Sequence, residues 1–282
     1  MEIQGAVAVI TGGGNGIGRA LAQVLADGGC SIMLADIDEP ALAGAAAALA
    51  ASGAEVATAV TDVARLDSVE ALAAATIERF GKVDILVNNA GVIAWNPMSA
   101  LTIADWEWVI GVNLWGVIHG VHAFLPIMQE QGTPAHIVNL SSVGGILADT
   151  PFMATYSATK GAVIGLSLTL DTELRMRQTP IGVSIVCPGA TRDTGADRAE
   201  RNRPETAGPI VRAPGVDALT DQVHRSVLAG QPVELLAGRI ADAIRTNRLW
   251  VFPNPDATAM VHPRLADLDA RLAEAGAQSR DA

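Results

Sequence analysis

The chain has 282 residues, half of them apolar and 17% charged, which is enough for a sizeable buried core and too apolar for a disordered chain. With a formal charge of -11, it has no basic face for a nucleic-acid backbone and is repelled by anionic membrane surfaces, so neither partner is expected. One domain over 1–282 is the expectation. Cys30 and Cys187 stand far apart, and the five histidines (His119, His122, His136, His224 and His262) form no ligand set, so neither a disulfide nor a metal is expected. No basic, apolar leader and no run of membrane length stands out, which makes the expected location cytoplasmic.

Short apolar runs bounded by Gly, Asp or Pro recur at 6–11, 31–35, 56–60, 83–88, 136–140 and 183–188, the pattern of buried strands. Helix-forming segments such as 40–51 and 67–80 lie between them, so the order is βαβαβ, repeated. That order predicts an α/β fold with a parallel, doubly wound sheet, whose ligands bind beyond the carboxyl ends of the strands. From 191 to about 230 the period is lost among Arg, Asp, Pro, Gly and Thr. Such a segment is read as a long loop with a short helix, either a lid over the substrate or a disordered stretch. A helix at 233–246 and a last strand at 249–252 follow, then a charged tail over about 254–282.

TGGGNGIG, from Thr11 to Gly18, follows the first run and opens a helix near Ile17. Glycines there let the backbone approach a pyrophosphate, whose charge is met by N–H groups and the positive helix end. Gly12, Asn15, Gly16 and Ile17 are the candidate contacts, although a glycine run alone is also what a flexible turn looks like. Asp36 closes the second run, 20 positions after Gly16, where a carboxylate accepts both hydroxyls of an adenosine ribose and repels the 2′-phosphate of NADP. NAD is therefore the expected cofactor, and Arg19 is the residue that threatens this assignment. Asp62 and Val63 after the third run, and Asn89, Ala90 and Gly91 after the fourth, offer an acceptor for the adenine amine and space for a flat ring and ribose. Asp and Asn at such places also act as caps and turns.

Tyr156 and Lys160 are four positions apart in YSATKGAV, so a helix sets both on one face. A nearby ammonium and an oxidised nicotinamide both favour phenolate, which makes a tyrosine usable as a proton-transfer group near neutral pH; a surface pair has the same spacing. Ser142, ending the fifth run, is placed to hydrogen-bond a substrate oxygen, or to cap a turn. Asn113 in GVNLWGV is a poor helix former that opens a polar site in its helix.

Taken in order, TGGGNGIG, Asp62, NNAG, Asn113, Ser142, YSATK and the pair Pro188 and Gly189 resemble the short-chain dehydrogenase/reductase family over about residues 5–253. The resemblance implies a Rossmann fold and hydride transfer between NAD(H) and a secondary alcohol or ketone, in a homodimer or homotetramer. It implies that Tyr156 is the general acid or base and that Lys160 binds the nicotinamide ribose and lowers the tyrosine pKa. Ser142 would then orient the substrate oxygen, Asn113 would support a water linking Lys160 to solvent, and Pro188 and Gly189 would lie against the nicotinamide. Three departures stand out. Ser142 precedes Tyr156 by 14 positions, one more than is usual, so the connection should bulge. The threonine after the Pro-Gly pair is Thr191 or Thr194, with Thr191 preferred. The ending RLWVFPNP lacks the family's glycine-rich pattern, which weakens the tetramer expectation.

Trp95, Phe152 and Met153 are candidates for an apolar or aromatic substrate wall, while Trp106, Trp108 and Trp115 read as helix packing or subunit contacts. WEWVIGVNLWGVIHG and RLWVFPNP also resemble bacterial Cα-dehydrogenases of lignin-derived aryl ethers. Two other readings stay open: an NADPH-dependent carbonyl reductase, and a catalytically silent NAD-binding sensor.

Overall fold

The computed structural model describes residues 1–147, 150–195, 200–254 and 257–278. Among them, seven parallel strands form one sheet in the order β3-β2-β1-β4-β5-β6-β7. The strands are β1 (Val7–Thr11), β2 (Ser31–Asp36), β3 (Val56–Val60), β4 (Ile85–Asn88), β5 (Ala135–Leu140), β6 (Ile181–Val186) and the two-residue β7 (Trp250–Val251). Their apolar runs are continuous because both sheet faces are covered. Ala8 and Ile10 pack with Leu21 and Leu25 of α1 (Gly16–Asp27), while Val9 between them joins Leu86 and Phe124 on the other face. Each such fully buried Ile, Leu or Phe stabilises the fold by about 1.5–3 kcal/mol.

Helices α2 (Glu39–Ala51) and α3 (Leu66–Phe80) make the first crossovers, and Gly81 ends α3 in the left-handed conformation (φ 75°). Next come α4 (Ile103–Ile110), a π-helical turn (Gly111–Trp115) and α5 (Gly116–Gln131), one continuous helix of 29 residues. By length and mean hydropathy (1.4) this helix is long and apolar enough to cross a membrane, a property that the core helix of a soluble protein shares. In the fold its inner face supplies Val109, Phe124 and Met128 to the core, and its buried Asp105 and Asn113 both have polar or charged partners.

The short α6 (Val143–Leu147) leads to α7 (Ala154–Met176); residues 148 and 149, where part of the expected bulge falls, lie outside the described residues. After β6 come α8 (Val216–Leu228) and α9 (Val233–Thr246), the latter packing Leu236, Ile240 and Ile244 onto the α1 side of the sheet. The last segment corrects the sequence reading. Where a charged tail was expected, α10 (Ala257–Gln278) forms, with Asp267 paired to Arg271 one turn on and Val261 buried against Val143. Pro263, the seventh residue of this helix, removes one intrahelical donor, and pairs of Arg264 and Arg271 with Asp267 support the turns beyond it.

His136 on β5 is 1% exposed and lies 2.8 Å from Ser184 Oγ, which itself donates to the carbonyl of Arg248. The single hydroxyl proton is thus used, so His136 Nε2 carries its hydrogen and Nδ1 is bare. Burial pushes its pKa down from 6.5 to about 4. Neutral imidazole is favoured only in the folded state, so stability is full above the unfolded pKa and falls as pH drops toward the folded one. Between pH 6.5 and 4, the unfolding free energy in urea should decline by roughly 3 kcal/mol more in the wild type than in His136→Gln. Equal pH dependence in the two proteins would refute this.

Candidate functional site

The strand order reverses between β1 and β4, and the carboxyl ends of these two strands are tied together. Thr11 Oγ1 accepts the N–H of Asn89 at 3.0 Å and of Ala90 at 3.2 Å, and the Asn89 amide donates back to the carbonyls of Thr11 and Gly12 at 2.8 and 3.1 Å. A cavity of about 770 Å³ opens at this edge, where doubly wound sheets bind ligands.

At one end lies the glycine-rich turn. A Cβ on Gly12 would stand 2.8 Å from Asn89 Nδ2, and one on Gly18 only 2.3 Å from the Gly12 carbonyl, so close approach of α1 to the β4 end requires glycine. Asn15, the N-cap of α1, makes no side-chain cap, which leaves the first N–H groups of the helix open beside a wall formed by Asn15 and Ile17. Gly16 lies off that wall, covered by Thr194, whose carbonyl oxygen would be 2.3 Å from a Cβ placed there. Asp36 is fixed by the N–H groups of Gly14 (2.9 Å) and Asp38 (3.1 Å), one to each oxygen, so each keeps a free lone pair. Asp62, Val63, Ala90 and Gly91 also line the cavity; Asp62 caps its turn as well, accepting from Ala64 N–H at 3.0 Å. An uncapped helix start, a turn only glycine fits and a fixed carboxylate together suit a dinucleotide. Arg19 is exposed and stands off the cavity wall.

At the other end the cavity is lined by Ser142, Tyr156, Lys160, Pro188, Gly189 and Thr191, with Thr194 also on its wall. Lys160 is buried and donates to the Leu140 carbonyl at 2.6 Å; burial pushes its pKa down to about 8. Burial raises the Tyr156 pKa against the opposing pull of a hydrogen bond with Ser142. Nζ of Lys160 lies 5.7 Å from the centre of the tyrosine ring. Asn113, fully buried in the π-helical turn, stands behind the wall rather than on it. Its amide exchanges two hydrogen bonds with the Val92 backbone (2.8 and 2.9 Å) and donates to Thr159 (3.3 Å). Across Gly91, a Cβ would touch both Asn113 Oδ1 at 3.5 Å and Lys160 Nζ at 3.6 Å, so the two side chains flank one small residue.

Of the three substrate-wall candidates, Trp95 and Met153 line the cavity and Phe152 does not. The Phe152 backbone is left-handed (φ 64°) and its carbonyl accepts from Asn96 N–H, which sets the residue apart from Met153 despite their adjacency. Several lining or supporting residues were not found by sequence reasoning. Met260 reaches the cavity from α10, and Glu107 and Trp108 from α4. Asn254, 3% exposed, clamps the turn after Pro188 by accepting from Gly189 N–H (2.8 Å) and donating to the Ala190 carbonyl (2.7 Å).

The segment after β6 is pinned at two buried points. The Asn96 amide bonds the Val211 carbonyl (2.8 Å) and the Ala213 N–H (3.1 Å). Arg203, with 5% of its side chain exposed, faces Asp105, with 2% exposed, at 2.8 Å, and its guanidinium lies 5.2 Å from the centre of a Trp108 ring. The ion pair lies off the hydrogen-bond axis, and Arg203 donates instead to the carbonyls of Ala207 and Gly208.

Fold and site together define a dinucleotide-binding oxidoreductase of the Rossmann type. The family model for short chain dehydrogenases matches residues 6–205, and the chain belongs to that family. A short-chain dehydrogenase/reductase from Burkholderia phymatum, solved in complex with NAD, is 42% identical, covers 96% of each chain and superposes with a TM-score of 0.93. A CLA biosynthesis dehydrogenase/reductase from Lactiplantibacillus plantarum is 30% identical over 92% of this chain and 91% of its own length. A C alpha-dehydrogenase from Sphingobium sp. is 33% identical over 90% of this chain and 82% of its own. The weak resemblance to Cα-dehydrogenases is thus matched by a relative of that description.

Removing one partner of a buried ion pair strands the other charge. Asp105→Ala should lower the unfolding free energy by about 3 kcal/mol, with partial recovery in Asp105→Ala/Arg203→Met. Urea denaturation of the four proteins checks it, and additive losses would contradict a coupled pair.

Proposed function

We propose that the protein is a cytoplasmic, NAD-dependent dehydrogenase of an apolar or aromatic secondary alcohol or the corresponding ketone. One observation carries the reading: a single cavity has Asp36 at one end and Ser142, Tyr156 and Lys160 at the other. Gly12, Asn15 and Ile17 would hold the pyrophosphate, with Gly16 behind them. Asp36 would hold the adenosine ribose, Asp62 and Val63 the adenine, and Asn89, Ala90 and Gly91 the ring and ribose beyond. Pro188, Gly189 and Thr191 would lie against the nicotinamide. When bound, the nicotinamide supplies the two-electron chemistry, exchanging a hydride with the carbinol or carbonyl carbon. The Ser142 hydroxyl orients the substrate oxygen, and Tyr156 takes its proton in oxidation and returns it in reduction. The Lys160 ammonium stabilises the phenolate, which is the form that accepts the proton in oxidation and the form left after the proton is given up in reduction. Asn113, beside Lys160 across Gly91, positions the proton path from that ammonium.

The preference for NAD rests on the Asp36 carboxylate, since an added 2′-phosphate meets a like charge. Trp95, Trp108, Met153 and Met260 give the substrate end its apolar character. Of the expected lid at 191–230, residues 196–199 lie outside the described residues; the part over 200–213, anchored through Asn96 and Asp105, acts as the substrate cover. An apolar groove on the outer side of α5 and α7, lined by Ile118, Val121, Leu125 and Leu166, supports a homodimer or homotetramer. Two buried free cysteines, Cys30 and Cys187, suit a reducing cytoplasm.

Initial rates of NADH formation with a panel of aryl and alicyclic secondary alcohols test the reading. Activity should appear with NAD and fall by about 10²–10⁴-fold in Tyr156→Phe. Turnover with NADP alone would favour the reductase reading, and NAD binding without turnover would favour the silent sensor. Trp95→Ala should raise KM for aromatic substrates about tenfold, a loss on the scale of one aromatic contact; an unchanged KM removes Trp95 from the substrate wall.

A further inference from the structure

Among the described residues lining the cavity, two carry permanent or near-permanent positive charge, Lys160 at the Ser142 end and Arg201 at the Asp36 end. Arg201 belongs to the segment after β6, and its guanidinium lies 3.1 Å from Asp38 Oδ2, with 36% of the arginine and 19% of the aspartate side chain exposed. Asp38 is engaged on three sides. Its Oδ1 accepts the Ala41 N–H at 3.1 Å as the N-cap of α2, its Oδ2 holds Arg201, and its own N–H donates to Asp36 Oδ1 at 3.1 Å. Asp36 and Arg201 line the cavity and Asp38 links them from behind the wall, carboxylate to peptide N–H to carboxylate to guanidinium.

We propose that Asp38 determines nucleotide specificity by occupying Arg201, and so withholds from a 2′-phosphate the cation that would otherwise receive it. This rests on reading Asp36 as the ribose ligand. The physical reason lies in the alternatives open to a guanidinium. A planar donor fork binds phosphate oxygens in pairs, and a phosphate dianion attracts it more strongly than one carboxylate does. An arginine on the wall beside Asp36 would thus offset the repulsion that Asp36 imposes. With Asp38 in place, the guanidinium is already neutralised, and a phosphate entering there meets a second carboxylate as well. Rejection of the phosphorylated nucleotide is then the work of two residues, Asp36 directly and Asp38 through Arg201. Arg19, the cation that the sequence offered for this role, is exposed and not among the residues lining the cavity.

The test is a fluorescence titration of NADH and NADPH at fixed ionic strength with the full chain, as wild type, Asp38→Asn, Arg201→Gln and the double variant. Asparagine caps a helix as well as aspartate does, so the start of α2 survives the substitution. The quantity compared is the ratio of the two dissociation constants. Asp38→Asn should improve NADPH binding relative to NADH by about tenfold, the scale of one charge-assisted contact. In the Arg201→Gln background the same change should improve it by no more than about twofold, the residue of a screened repulsion. A ratio that moves equally in both backgrounds, or not at all, overturns the proposal. So does a parallel loss of affinity for both nucleotides in Asp38→Asn and Arg201→Gln, the result expected if the pair only fastens the segment. The wild-type ratio reports on Asp36 separately. NADPH binding as tight as NADH would overturn the Asp36 reading, while dependence of the Asp38 effect on Arg201 decides the Asp38 proposal in either case.

Discussion

The tie between Thr11 and Asn89 is the constraint on which the cavity depends. In a parallel sheet the strands on either side of a reversal send their crossovers to opposite faces, so nothing in the sheet itself closes the gap beyond β1 and β4. Here the gap is bridged by one hydroxyl and one carboxamide making four of the contacts between the two strand ends. Asn89 stands so near the turn that the Cβ of any other residue at Gly12 or Gly18 would run into its amide. The glycines are thus required by the neighbouring strand end as much as by any ligand. The same closeness holds the uncapped start of α1 at the mouth of the gap.

The parts of the fold legible in the sequence were those with a local cause. The seven strands announce themselves because both faces of the sheet are covered, and the helix at Val233–Thr246 is bounded by a proline before it and an asparagine in the left-handed conformation after it. Tyr156 and Lys160 were legible because helical geometry fixes what lies four residues away. What was missed depends on partners far along the chain. Nothing near Asn254 reports that Gly189 and Ala190 lie against it, and nothing near Asp105 reports Arg203, which is 98 positions later. Phe152 went wrong by the opposite route. Adjacency to Met153 suggested a shared wall, but the left-handed backbone at Phe152 breaks the link between neighbours in sequence and neighbours in space. In α10, a proline and a high charge count masked a helix supported by Arg and Asp pairs one turn apart.

The electrostatics of the Ser142 end contain an opposition that sequence motifs do not express. Burial disfavours charge on both members of the pair, raising the Tyr156 pKa and lowering that of Lys160 to about 8, so it works against the phenolate and leaves the ammonium only a narrow margin near neutral pH. Two contacts oppose this. The Leu140 carbonyl accepts from the ammonium at 2.6 Å, and Ser142 hydrogen-bonds the tyrosine. Cys187 adds no competing anion, since burial pushes its thiol up to about 12. A positive charge about 6 Å from a phenolate, in a medium of effective dielectric about 20, stabilises it by about 3 kcal/mol, or about two pKa units. That is comparable with a burial shift, so the balance rests on how much water remains. Removal of water from the cavity would strengthen burial and Coulomb attraction together. The attraction acts only while Lys160 is charged. The short bond to Leu140, which favours the ammonium, is therefore what keeps drying of the cavity from driving both groups neutral.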